Sequence, residues 1–387
     1  TTTQAAGLAA AQLAGITSAQ AGALTTAQLA ALSSAQLAAL STGAVRGLTT
    51  AGIVALDTAQ IKGLSSTQIA ALATAQVAAI ETADLAAMTT AQLPGFTTAA
   101  IAAMTTAQVA GLSTAQLRAL SSAQAPALTT AQIAALTTAQ VPGLGATQLG
   151  AMASAQIAAF STAQYGQFST AQIAAISTAA LRGLETADLV ALSTDQVKGF
   201  TTAQVAALTT AQLAAMETAD VAALTTTQLR ALASSQMPGL TTAQIANLAT
   251  AQIAGLASTQ VKGLSTAQIA ALTTAQMAGL GTAQINALSS TQIAGMTTAQ
   301  LGQFSTAQLA GIATAAVKGI TTAQLAALTT AQITGLTTAQ VAALATGQLA
   351  AIETADLAAM TTAQLRALSS GQAAALKPHR LLVHQRP

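Results

Sequence analysis

Large apolar residues fall on every multiple of eight from Leu8 to Leu376, and all 47 of these positions are Leu, Ile, Met or Phe. Between them runs a single phrase, seen twice over residues 128–144 as LTTAQIAALTTAQVPGL. Numbered from the large residue, its slots are Leu, Thr, Thr, Ala, Gln, Ile, Ala, Ala. No insertion or deletion interrupts the count, so each octet makes the same step in space as its neighbours. Slot 3 is Thr or Ser except at Ala10 and Ala146. Slot 5 is Gln except at four Asp and at Ala44, Gly52, Ala100, Ala180 and Ala316. Slot 6 is almost always Ile, Leu, Val or Met, and slot 8 almost always Ala or Gly. Slot 7 is the variable one. It holds Arg46, Lys62, Arg118, Arg182, Lys198, Arg230, Lys262, Lys318 and Arg366, and also Pro94, Pro126, Pro142 and Pro238. A slot that accepts Lys, Arg, Pro, Asn and Gly faces solvent.

This pattern limits the backbone. Eight residues advance an α-helix by about 800°, roughly 80° beyond two turns, so slots 1 and 6 of one long helix would never form a stripe. Coiled coils avoid that drift with periods of seven or eleven. A β-solenoid is the alternative, but the octet lacks the alternation of a strand, and Ala and Gln are poor strand residues. What remains is a very short helix in every octet, started by a hydroxyl and ended at Ala or Gly. Slot 2 with Gln three residues on spells a capping box, with slots 1 and 6 as its hydrophobic staple. Slot 2, however, is sometimes Ala or Glu, and neither is a good cap. The more regular slot 3 is therefore expected to be the N-cap. Helices this short cannot stand alone and must stack. The expectation is an all-α solenoid over residues 1–376, with slots 1 and 6 in the core, followed by a non-repeat tail at 377–387. An unconstrained Gln would vary as slot 7 does. Its persistence predicts a hydrogen bond to a neighbouring octet, forming a ladder, or a cap.

Composition narrows the function. Charged residues make up 6% of the chain, and the net charge of +2 comes from scattered groups. Without clustered Lys and Arg, nucleic acid is not expected as a partner. Thr, Ser and Gln interrupt every apolar run before it reaches the roughly 18 residues of a membrane span, so none is expected. The chain has no signal-peptide pattern and no initiator Met, which suggests a mature or excised piece of a longer protein. The absence of Cys is compatible with secretion.

Few residues carry possible chemistry. The Glu-Thr-Ala-Asp phrase pairs Glu81 with Asp84, Glu185 with Asp188, Glu217 with Asp220 and Glu353 with Asp356. Two carboxylates fall short of the six or more oxygens that Ca²⁺ takes. Duplication, and the favourable placing of acids at a helix N-terminus, explain the pairs without a metal. Phe96, Phe160, Phe168, Phe200 and Phe304 all occupy slot 1, and Tyr165 occupies slot 6, so they read as core. The prolines are expected to interrupt edges or kink the fibre. His379 and His384 lie in the tail, five residues apart and about 140° around a helix, so they would not share a face as metal ligands. No nucleophile–base pair can be assembled. No enzyme activity, cofactor or metal is expected.

The octet L-T-T-A-Q-[ILV]-A-A over residues 1–376 resembles low-complexity repeat tracts of very large surface proteins of proteobacteria, described as adhesin-like or haem-utilisation-like. The resemblance implies a secreted, surface-attached or fibre-forming protein. It brings no haem ligand, because the repeats hold neither His nor Cys and Tyr165 is not placed as an axial ligand. The expected function is mechanical: an extracellular fibre, sheath subunit or adhesin stalk, self-assembling with copies of itself. An ice- or surface-binding threonine array is the alternative, weakened by the free exchange of Ser for Thr.

Overall fold

The computed structural model describes residues 1–376. They hold 41 α-helices and six 3-10 segments, one helical element per octet, and no strand. Thr1–Phe200 and Thr201–Pro387 are two compact units. Within the described residues of each, the architecture is a solenoid of short helices.

The helix start corrects the expected N-cap. Slot 2, not slot 3, is the N-cap. In a regular octet Thr129 is extended (φ −72, ψ 159), and its Oγ1 accepts from the Gln132 N–H at 3.2 Å. Gln132 Oε1 in turn accepts from the Thr129 N–H at 2.7 Å, closing the capping box. Where slot 2 is Ala the second bond survives: Ala73 N–H donates to Gln76 Oε1 at 2.7 Å. Slot 2 can vary because the Gln half of the box needs only a backbone N–H. Slot 3 is the first helical residue, and its regularity has another cause. It lies against slot 8 of the following coil, as Thr114 does against Gly143.

One coil closes between three and four octets. Ser18–Gly22 packs on Thr42–Gly47, and Ser34–Ala38 on Thr58–Gly63, three octets on. The glutamine bonds described below reach back 28 to 31 residues. Slots 1 and 6 form the continuous core: Leu128 is 2% exposed and Ile133 is fully covered. The exposed basic residues of slot 7 stand outside it, as expected.

The prolines change the local helix type while the stacking bonds persist. Pro94, Pro126, Pro142 and Pro238 sit in the 3-10 segments Leu93–Gly95, Ala125–Ala127, Val141–Gly143 and Met237–Gly239. Proline lacks the N–H that would close an α-turn onto slot 3, and the tighter segment does without that bond. The stacking bonds of these octets persist, with Gln92 Nε2 donating to the Leu64 carbonyl at 2.8 Å and Gln140 Nε2 to that of Leu112 at 2.6 Å.

Candidate functional site

The recurring polar group of the molecule is the slot-5 glutamine, and it acts as a fork. Its Oε1 closes the cap of its own helix while its Nε2 donates to the coil before. Gln60 Nε2 reaches the carbonyls of Leu29 at 2.9 Å and Leu32 at 2.6 Å. Gln244 repeats this in the second unit, on Leu213 at 2.9 Å and Met216 at 2.7 Å. Both glutamines are buried. An amide is the side chain that suits this seam, since it offers acceptor and donor together and stays uncharged. A glutamine ladder is present, but it joins octets one coil apart rather than neighbours along the chain, and capping and stacking turn out to be one device.

The four acids of slot 5 carry no N–H, so they cannot supply the donor half of the fork. Asp84 Oδ1 accepts from Thr58 Oγ1 at 2.6 Å, and Asp356 Oδ1 from Thr330 Oγ1 at 2.6 Å, each across a coil seam. Asp188 Oδ2 accepts from the Glu185 N–H at 3.1 Å. Burial pushes the Asp188 carboxyl above its ordinary value, with Glu185 adding to the rise and the Glu185 N–H opposing it. The four Asp are buried, whereas Glu81, Glu185, Glu217 and Glu353 are exposed N-caps. Thus each sequence pair is divided between seam and surface. Among the described residues no three His, Cys, Asp or Glu are grouped as metal ligands.

The five Phe are buried, as their slot requires. Tyr165 does more than fill the core. Its ring meets Phe160 and Phe168 edge-on, with centroids 6.0 and 5.3 Å away. Its hydroxyl donates to the Ile157 carbonyl at 2.5 Å. Ile157 stands to position 188 as Leu29 stands to Gln60, so a fork would reach its carbonyl were residue 188 Gln. Tyr165 therefore supplies the donor that Asp188 lacks. Burial raises the phenol's pKa, and the charges of Asp188 and Glu185 raise it further, so the hydroxyl stays a donor. The only signal in the sequence was an isolated slot-6 aromatic, three octets ahead of an Asp in the Gln slot. The tail with His379 and His384 lies outside the described residues.

No helix among the described residues is long and apolar enough to cross a membrane. Short helices, one per octet and stacked by a repeated bond pattern, make this a helical repeat protein. The model of the ALTTAQ repeat matches it in overlapping segments over residues 30–138 and 181–380, and the chain belongs to that family. Residues 139–180, outside those segments, contain Phe160, Tyr165 and Phe168. No curated protein matches the chain.

Proposed function

We propose that the protein is an extracellular structural element: a fibre or sheath subunit, or the stalk of an adhesin, on a proteobacterial surface. The observation that supports this is the fork itself. Each octet adds one helical element, and each buried slot-5 Gln adds a set of bonds to the coil before, so length grows with copy number, while among the described residues no metal-ligating side chains gather in threes. Such arrays are stabilised by nearest-neighbour interfaces and extend without a new core. Self-association into an open assembly suits the same role. We propose no catalytic role.

Antibody labelling of intact source cells, with electron microscopy of the purified chain, tests this. Surface label together with rods or filaments is the expected result. Label only after permeabilisation, or compact particles on the grid, would overturn it.

A further inference from the structure

Three of the four exposed Glu precede a cation at one fixed interval: Glu185 with Lys198, Glu217 with Arg230 and Glu353 with Arg366. That interval is close to half of a coil that closes over about 28 residues. The spacing therefore sets the two charges on opposite sides of the coil. In the second unit the separation is cleanest. Arg230, Lys262, Lys318 and Arg366 are all exposed. Lys262, Lys318 and Arg366 follow Arg230 by one, three and five coils, each to within about four residues. Glu217 and Glu353 lie about a quarter of a coil or more from every member of that row, on the other side. They are separated along the chain by the same interval as Arg230 and Arg366.

We propose that residues 201–376 present a basic row, Arg230–Lys262–Lys318–Arg366, and an opposed acidic pair, Glu217 and Glu353, through which copies of this chain pack side by side. Charge complementarity argues for a second copy as the partner. The acidic pair has the same axial spacing as Arg230 and Arg366, so both contacts form at once. With interhelix distances of about 8–10 Å, five coils put them roughly 40–50 Å apart. A polyanion would use one side only and be repelled by the other. Exposed pairs are individually weak, so the contact depends on several forming together. It is also screened by salt, whose Debye length falls from about 10 Å at 0.1 M to about 3 Å at 1 M. The inference rests on the structural reading above in taking the partner to be the same chain.

Sedimentation velocity of the full chain at low salt and at about 1 M NaCl tests it. Wild type is expected to form oligomers that grow with concentration at low salt and to dissociate at high salt. The double variants Glu217→Lys/Glu353→Lys and Arg230→Glu/Arg366→Glu, each with unchanged circular dichroism, are expected to associate at least tenfold more weakly alone. Mixed in equal amounts they are expected to associate again, because one now carries cations on both sides and the other gains acids on the reversed side. Variants that associate as wild type does, a mixture no stronger than its parts, or wild type monomeric at low salt would overturn the proposal. Single-width surface filaments in the microscopy would leave the fibre reading standing while removing this one.

Discussion

Residues 1–32 and residues 101–136 are written in the same octets, yet they are buried differently. Gln12 and Gln20 accept from their own N-cap N–H at 2.8 and 2.9 Å, as Gln132 does at 2.7 Å. All three helices form. Both of the Gln12 and Gln20 side chains are exposed. Gln132, by contrast, is 1% exposed and donates to Ile101 at 2.9 Å and Met104 at 2.6 Å. Ile16 and Leu24 are half-buried where Leu128 and Leu136 are buried. The cap is therefore set within the octet, whereas the core and the other half of each fork exist only between coils.

Removing the fork should break that contrast most sharply. Gln132→Ala leaves two buried carbonyls without the amide donor and the Thr129 N–H without its acceptor. A cost of about 2–4 kcal/mol is expected. Gln12→Ala loses only the cap bond, about 0.5–1 kcal/mol. Urea unfolding, with hydrogen exchange of amides in residues 101–136, measures both. Equal losses at the two sites would refute a cross-coil role for the amide.

Slot 8 gives the next effect. A Cβ at Gly319 would clash with the Ser290 carbonyl oxygen and stand 2.6 Å from its carbon, both backbone atoms of the preceding coil. Gly319→Ala must part the coils, at about 1–3 kcal/mol. At Gly15 the nearest atom is the Gln12 oxygen at 3.6 Å, and φ is −86. Gly15→Ala should therefore stabilise by about 0.4–1 kcal/mol by restricting the unfolded chain. Opposite signs in thermal unfolding are the expected result, and a shared sign would mean that slot 8 does not set the approach of coils.

Much of this was legible in the octet. Slots 1 and 6 announce the core, slot 7 the solvent face, and a nearly constant Gln the ladder. The N-cap was misread because constancy was taken to mark the capping residue. Constancy here marks contact: slot 3 is pressed by the next coil, and slot 2 is free to be Ala because Gln supplies the other half of the box. The reach of the fork is written in no single octet, since a coil closes only through the sum of several small rotations. The partnership of Tyr165 with Asp188 was hidden for the same reason, two residues well separated along the chain becoming neighbours of one carbonyl only after coiling.

Tyr165→Phe tests whether a missing fork matters inside the stack as it does at residues 1–32. The ring and its contacts with Phe160 and Phe168 remain, and only the donor to Ile157 is lost. A loss of about 1–2 kcal/mol is expected. Adding Asp188→Gln should recover part of it by supplying the amide, whereas Asp188→Gln alone meets an acceptor already taken by the phenol. The double-mutant cycle is thus expected to be non-additive. Additive effects would show that the two positions do not share the carbonyl.

The smallest effect is the pH dependence of Asp188, which distinguishes an acid inside the stack from an amide. Its carboxyl is raised above the ordinary 3.8 by burial. The folded state therefore binds the proton more tightly than the unfolded one, and folding is favoured where the group is protonated. That contribution is fully present below the ordinary value and is lost as pH rises through the raised one. Asp188→Asn should accordingly stabilise the chain at neutral pH, and the difference from wild type should shrink as pH falls toward 3.8 and below. Urea midpoints of both proteins across this range measure it. A difference that stays constant, or that widens on acidification, would mean that the seam does not penalise the carboxylate, and that Asp and Gln are interchangeable there for reasons other than charge.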